Sequence, residues 1–571
     1  MNNSVMDAAP ATFTQMPMAS RPATLLKMLE LAPQEAIAIA FGDADLTYAQ
    51  LLRQVGHVAG SLERLGLQEG DVLGIWLPNT PRWLVLHLAC ASLGIATLSL
   101  NLKLGVKELV NFIDRSLCKA LAFDRSVINS YAVAVHEETS DSLLQQIWQQ
   151  HAGSIQLLID ASDNGSISED TCRSHETLLK KTTRPFPRMA TWNELQDTAD
   201  ELTGNNTKDL ARRPCIILSS SGTTSLPKLI VHSQSNVALH AQDAALGFGV
   251  DNSCSTLLVV PMCGAFGYTV AMMTLAAGAK LVLQEVFDPV KTVSILEQQP
   301  ITHMFGTNDM VDKMIAPLAE SWHPKALRIF GHANFVPGLD ELPARAQSLG
   351  IPMVGCFGMS EIFALFAHQD PTASLPRRAQ SGGFPIAKNA QVRVRAMETG
   401  ALAAPMEPGE LEFRGANTMQ EYLGDPKATA KVFTADGFLR SGDLGYINGD
   451  GGFTHISRLG DVLRVGGFLV NPAEIEEAVL QQTGAVACQV VAVNASDSSR
   501  PVAFVIPAEG QAIDQEAVRA QLLRQIARYK VPIRIFSVSN FPCTMSPNGM
   551  KVKRNKLRDL AQQLLAQENE K

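Results

Sequence analysis

Several protein classes are excluded by what this chain lacks. Its nine cysteines (Cys90, Cys118, Cys172, Cys215, Cys254, Cys263, Cys356, Cys488 and Cys543) are scattered, with no two at C-x-x-C spacing. An odd count in a large chain fits reduced thiols better than a disulfide framework or a zinc site. No apolar run reaches the ~18 residues of a spanning helix, so no membrane span is expected. There is no dense run of Lys or Arg, and the formal net charge is -8. That balance argues against nucleic acid as a partner. The opening MNNSVMDAAPATF has no basic stretch followed by an apolar one, so no signal peptide is expected. The final NEK is not a peroxisomal tripeptide, and a cytoplasmic protein is the expectation. Also lacking are an internal repeat of about 20–50 residues, a low-complexity tract and the Walker spacing G-x-x-x-x-G-K-[ST].

What is present is the composition of a folded globular protein, with 46% hydrophobic and 18% charged residues. With 571 residues the chain exceeds what one core organises, so two or more domains are expected. Residues 1–25 read as a loose polar arm. From Leu46 to about Phe123 helix-like and strand-like segments alternate, as in a layered α/β sheet. GDVLGIWLP (70–78) reads as a short buried strand, and WLVLHLACASLG (83–94) as an apolar helix ended by Gly94. Residues 160–210 are polar and aperiodic, and read as a surface insertion or long loop. CIILSSSGTT (215–224), TLLVVPM (256–262), AKLVLQEVF (279–287), ALRIFG (326–331) and PMVGCFG (352–358) read as successive buried strands. VRVRA (392–396) and GELEFRG (409–415) alternate and mark a more β-rich subdomain. After about Ser457 a run of strands and helices has the size of a small α+β domain.

The strongest local signal is Ser219-Ser220-Ser221-Gly222-Thr223-Thr224-Ser225-Leu226-Pro227-Lys228, six hydroxyls around one glycine directly after a buried strand. Such a turn can aim backbone N–H groups, hydroxyls and a lysine at phosphate oxygens. Taken alone it is equally readable as a Ser/Thr-rich surface loop.

With its companions, this segment resembles the nucleotide loop [ST]-S-G-[ST]-T-G-x-P-K-G of the superfamily that contains acyl-CoA synthetases, amino-acid adenylation domains and firefly luciferase. The resemblance runs from about Leu46 to Arg558. GCFGMSE (355–361), GELEFRG (409–415), DGFLRSGDLG (436–445), SRLGDVLRVGGFLVNPAEIE (457–476), ARYKVP (527–532) and GMKVKRNKLR (549–558) match in the same order. It implies an α/β protein with a large N-terminal domain of layered sheets plus a β-rich subdomain (1–457), and a small mobile α+β C-terminal domain (458–571) hinged near 458–461. It also implies an ATP-dependent acid–thiol ligase. The carboxylate of a small-molecule acid attacks the α-phosphorus of Mg·ATP, pyrophosphate leaves, and a thiol then takes the acyl group from AMP. The thiol would be coenzyme A, or alternatively the phosphopantetheine of an acyl carrier protein. A third possibility is an inactive member that binds nucleotide or acyl ligand.

Carried over residue by residue, the resemblance assigns ATP and AMP to Ser220, Ser221, Gly222, Thr223, Thr224, Lys228, Cys356, Phe357, Gly358, Asp443 and Arg458. Glu361 would hold Mg²⁺, which prefers oxygen ligands; as an alternative it is a helix N-terminal carboxylate. Ser360 would contact the α-phosphate or the acid. Asp443, in a tight turn, could accept both ribose hydroxyls, or be an ordinary turn aspartate. Gly460 stands at the hinge, where relatives carry Asp or Lys. Gly466 and Gly467 resemble the segment lining the thiol tunnel, or are turn glycines. The acid pocket would comprise Gly264, Ala265, Gly331 and His332, the last of these alternatively a residue that merely fills space. Ala265 falls where amino-acid-activating relatives have an aspartate; without it a buried α-ammonium would stay unpaired, so a fatty or aryl acid is favoured. Ser225, Leu229 and Ser457 replace glycines of the family pattern. Relatives end in G-K-[IV]-x-R with a catalytic lysine. Here Met550 follows Gly549, so Lys551-Val552-Lys553-Arg554 fits only if Met550 is an insertion in the turn SPNGM, which makes Lys551 the catalytic candidate and Lys553, two residues on, its competitor.

Overall fold

The segment Ala265–Ala276 (AFGYTVAMMTLA) carries no charged residue and is buried from Gly267 onward. A helix that is apolar all round must be enclosed, and the fold encloses it between two sheets. The structure is a computed structural model that describes residues 20–128, 154–162, 187–197, 209–220, 227–334, 341–397, 399–459, 463–465, 468–470, 472–495, 498–546, 549–552 and 554–569. Helices Tyr48–Arg64, Pro81–Leu93, Gln234–Phe248 and Ala265–Ala276 share one continuous apolar core with strands of both large sheets. The helix Pro81–Leu93 starts with proline at its first position and stops at Gly94, whose φ of 71° is the left-handed cap that glycine adopts without strain.

One sheet has eight strands, ordered Glu421–Tyr422, Lys228–Ser233, Pro214–Ser220, Ala96–Ser99, Val72–Trp76, Ala120–Phe123, Leu157–Asp160 and Arg188–Thr191. The other has thirteen. Its Ile37–Phe41, Lys280–Leu283, Ser255–Leu258, His303–Thr307, Ile329–Ala333 and Met353–Met359 pair in parallel. From Phe363–His368 onward, through Gly382–Pro385, Phe453–Arg458, Leu439–Ile447, Gly409–Arg414 and Gln391–Arg395, pairing is antiparallel. The α/β class and the β-rich continuation expected from sequence are both found. Farther along the chain, Ala487–Ala495, Ser498–Ile506 and Arg534–Ser537 form a separate sheet, packed with helices Pro472–Thr483, Gln515–Leu522 and Arg554–Asn569 around their own apolar clusters.

Two readings need correction. The stretch taken as an aperiodic polar loop contains the strand Arg188–Thr191 and the helix Trp192–Gln196. Ala190, Trp192 and Leu195 anchor it in the core, and Thr191 with Glu194 forms a capping box; elements this short leave no periodicity to read. The segment 326–331 becomes a strand only from Ile329. The arm up to residue 19, and residues 163–186 and 198–208, lie outside the described residues.

The strand Met353–Met359 runs under a backbone lid. A Cβ on Gly355 would overlap the carbonyl oxygen of Gln380, and backbone cannot yield as a flexible side chain does. Gly355→Ala is expected to destabilise the protein by about 1–3 kcal/mol, seen as a lower thermal midpoint. An unchanged midpoint would mean that this layer is looser than described.

Candidate active site

Parallel pairing gives way to antiparallel pairing between Met353–Met359 and Phe363–His368, and Glu361 stands in that connection. The chain turns there through an unusual path: Phe363 and Leu365 have φ of 61° and 58°, a region that residues with a Cβ disfavour. Four donors fix it. The Met419 N–H donates to the Glu361 carbonyl (2.8 Å), and His232 Nε2 to the Ser360 carbonyl (2.8 Å). Asn417 Nδ2 donates to the Ile362 carbonyl (2.6 Å), and His240 Nε2 to that of Ala364 (2.7 Å). The Phe363 ring stacks against both imidazoles, at 3.8 Å and 5.2 Å between centroids.

The clamp presents Glu361 to a cavity of about 1100 Å³. The residue is 7% exposed, and its Oε1 accepts a hydrogen bond from the Tyr422 hydroxyl at 2.9 Å. Lys228 Nζ lies 4.1 Å from the centroid of the same tyrosine ring. Burial lowers the Lys228 pKa, against the upward pull of Glu361 and Asp425. Carboxylate, phenol and ammonium thus share one corner, beside Ser219 and Pro227, which flank the hydroxyl-rich turn and line the cavity. Ser221, Gly222, Thr223 and Thr224 of that turn lie outside the described residues, as do Gly460, Gly466, Gly467 and Lys553. For Ser220, Arg458 and Lys551 only the backbone is described.

Cys356, Phe357, Gly358 and Ser360 continue the wall. Burial pushes the Cys356 thiol far up, so it is no thiolate nucleophile. A Cβ on Gly358 would stand 2.5 Å from the Ala364 Cα, so glycine is what lets the two strands close. Asp443 is 2% exposed. Its carboxylate lies 3.3 Å from His455 Nε2, and its N–H donates to Ser441 Oγ (2.9 Å). Its backbone pairs with that of Arg458. The preceding Ser441 and Gly442 form the cavity wall.

At the other end Gly264 and Ala265 line the cavity with Leu77, Val260, Phe266 and Met310. The structure does not bring Gly331 and His332 to this wall; Ala333 is the residue of their strand that reaches it. Gly331 makes room for the Phe305 ring and for Cys356 Sγ, 3.1 Å from where its Cβ would be. His332 is 1% exposed and neither ring nitrogen has a well-formed hydrogen bond. Lys551 sits in the strand Gly549–Val552, opposite Thr544. Met550 pairs with Met545 in the same ladder, so it lies in the strand and not in the turn.

Sequence reasoning missed the residues that complete the cavity from the C-terminal side. Glu474, Tyr529 and Lys530 line it too. Lys530 Nζ reaches Glu474 Oε1 and, in the N-terminal part of the chain, Glu108 Oε1, at 2.6 Å each. The Ala527 N–H donates to Glu108 Oε2 (2.9 Å). The ARYKVP motif had matched without a role for its lysine; nothing in the sequence marked Glu108, Tyr422 or Asn417.

Comparison with known proteins places this geometry. The family model described as AMP-binding enzyme matches residues 29–423, and that described as AMP-binding enzyme C-terminal domain matches 474–547. A feruloyl-CoA synthase from Amycolatopsis sp. is 28% identical over 521 residues, 90% of this chain and 94% of that protein. The amide bond synthetase McbA from Marinactinospora thermotolerans has a TM-score of 0.75 at 23% identity, over 94% of this chain and 99% of that one. A variant of the o-succinylbenzoate CoA synthetase MenE from Bacillus subtilis, bound with its product analogue OSB-NCoA, has a TM-score of 0.76 at 20% identity, over 94% and 98%. The same Bacillus enzyme in complex with AMP gives 0.61 at 20% identity, again over 94% and 98%.

The clamp depends on neutral imidazoles. Burial lowers His232 to about 3 and His240 to about 4, and does the same to His87 (about 3) and His332 (about 4). An unfolded histidine takes up a proton below about pH 6.5, whereas these folded ones stay neutral down to 3–4. Between those limits the unfolded chain binds more protons, so stability falls as pH falls. Each group is expected to cost on the order of 1–2 kcal/mol by about pH 5. Urea denaturation midpoints at about pH 7.5 and 5 measure this, and equal midpoints would contradict neutral imidazoles.

Proposed function

The chain belongs to the AMP-binding enzyme family, and from that premise we propose that it is an AMP-forming acid–coenzyme A ligase acting on a fatty or aryl carboxylic acid. The observation that carries this reading is the single cavity. It is lined by the charged corner of Lys228, Glu361 and Tyr422, by Gly264, Ala265 and Phe266, and by Glu474, Tyr529 and Lys530. Phosphates, acyl tail and thiol can therefore meet at one place. Feruloyl-CoA synthase, whose name specifies an aryl acid and coenzyme A, supports the class of acid. The named acid itself is not carried over.

In the first half-reaction the acid's carboxylate attacks the α-phosphorus of ATP and pyrophosphate leaves. The chain's contribution is alignment and charge stabilisation. The turn from Ser220 to Thr224, with Lys228, receives the departing phosphates. Asp443 and Arg458 hold the ribose. Lys551 offsets charge building at phosphorus. Magnesium fits at Glu361: Tyr422 donates to one carboxylate oxygen and leaves the other available, and no cluster of three metal-binding side chains exists among the described residues. An ion that keeps waters and shares substrate phosphates suits such a site. When bound, Mg²⁺ supplies neutralisation of phosphate charge. In the second half-reaction the thiol adds to the acyl carbon, AMP leaves, and the thiol proton passes to solvent or phosphate.

Between the two steps the C-terminal elements turn about Gly460. The better superposition on the product-analogue form of MenE than on its AMP complex supports an arrangement close to that of acyl transfer. Gly466 and Gly467 then edge the thiol's path.

Pyrophosphate release across short-chain, fatty, aryl and amino acids tests the reading, followed by coenzyme A against a phosphopantetheinylated carrier protein as acceptor. Release with fatty or aryl acids and transfer to free coenzyme A is the expected result. Release only with amino acids, or with nothing in the panel, would overturn it. For the lysine, Lys551→Ala is expected to slow adenylation by ~10²-fold or more, with transfer from preformed acyl-adenylate nearly intact. Lys553→Ala should affect neither step. The opposite pattern would move the catalytic assignment to Lys553.

A further inference from the structure

Lys530 is the bridge between two parts of the chain that are far apart in sequence. Its ammonium lies 2.6 Å from Glu108 in the helix Val106–Arg115 and 2.6 Å from Glu474 in the helix Pro472–Thr483. The three side chains are 7%, 10% and 11% exposed, so the network is screened little by solvent. Burial works against each charge, yet Lys530 holds Glu108 below its usual range.

Glu108 is built to receive a partner. It is the third residue of its helix, and its Oε2 accepts the Gly105 N–H at 2.8 Å, so capping and the helix dipole orient the carboxylate before anything docks. The same oxygen accepts the Ala527 N–H at 2.9 Å. Backbone meets backbone beside it: a Cβ on Gly105 would stand 3.0 Å from the Gln525 carbonyl oxygen. The network also separates without stranding a charge. On undocking, Lys530 keeps Glu474 from its own side, and Glu108 keeps the Gly105 N–H and the helix terminus. Breaking a buried pair normally leaves an uncompensated ion; here each half brings its own compensation, which suits a contact made and broken in every turnover.

We propose that Glu108 is a positioning residue for acyl transfer, holding the C-terminal elements through Lys530 and the Ala527 N–H in the orientation that closes the cavity with Tyr529 and Glu474. This rests on the two-step ligase reading above. Contacts made in only one orientation bias the equilibrium between orientations by their differential free energy. Glu108 should thus govern the second half-reaction and not the first.

The test uses the full chain with Glu108→Gln, which removes the charge but keeps an oxygen for the Gly105 cap, and Glu108→Ala, which removes both. Spin labels on cysteines introduced at Val290 and Val486, which are 74% and 70% exposed, report the distance between the two parts. The expected result is a smaller docked population in both variants. Transfer from octanoyl- or feruloyl-adenylate to coenzyme A should slow by about tenfold, with pyrophosphate release from ATP and the acid within about twofold of the parent. A network that is merely structural would lower the thermal midpoint while leaving the distance distribution and the ratio of the two half-reactions unmoved, and that outcome overturns the proposal. Equal loss in both half-reactions does so as well. If the parent protein shows no acyl transfer, the ligase reading is what fails, and the distance distributions alone then decide whether Glu108 holds the docked orientation.

Discussion

Everything at the Glu361 end of the cavity depends on a short stretch of backbone held against its own preference. Phe363 and Leu365 sit at positive φ, which for residues with a Cβ costs on the order of 1–3 kcal/mol each. The carbonyls of Ser360, Glu361, Ile362 and Ala364 are all claimed by donors from outside the strand. Two of those donors are imidazoles, and a buried imidazole is a dependable single donor only while it is neutral and its tautomer is fixed. Burial secures the first condition and the carbonyl the second. The result is a carboxylate whose main chain cannot drift, facing a lysine and a phenol whose positions it helps to set. Preorganisation of this kind is what an enzyme of phosphate displacement must supply, since little covalent chemistry falls to the protein.

The opposite wall follows different rules. Gly264 and Ala265 open a helix that is buried almost throughout, between two sheets; Leu77, Val260, Phe266 and Met310 line the cavity with them, and so do the charged Lys103, Glu285, Asp309 and Lys313. Packing sets this wall, and buried hydrogen bonds tie it: Asn79 donates to the Val260 carbonyl (3.0 Å) and accepts the Met262 N–H (2.8 Å). The cavity therefore reads as two half-sites with separate physical logic. At one a carboxylate, a phenol and an ammonium meet; at the other, small residues at the start of a helix leave space among apolar and charged side chains.

Legibility followed from how local each feature was. The helix closed by Gly94 and the buried strands around it could be read from periodicity and caps, because the causes lie within a dozen residues. The placement of Glu361 and Lys228 in one corner came through matched motifs, which encode a fold's geometry without stating it. The strand and helix at 188–196 did not show, because three apolar anchors in nine residues make no period. Tyr422, Asn417 and Glu108 did not show either: a tyrosine, an asparagine and a glutamate acquire meaning only from partners 61, 177 and 422 residues away. His332 shows the converse. Its neighbour Ala333 occupies the wall, and since successive residues of a strand face opposite ways, a one-residue difference in alignment decides which of the two is in the pocket.

The same alternation bears on the C-terminal lysines. Gly549, Met550 and Lys551 pair in unbroken register with Ser546, Met545 and Thr544, so the extra residue relative to the family pattern is absorbed by the hairpin as a whole and not by a bulge at Met550. The regular ladder puts Lys551 on strand backbone that pairs with Thr544; the role proposed for it rests on the matched motif and not on this pairing.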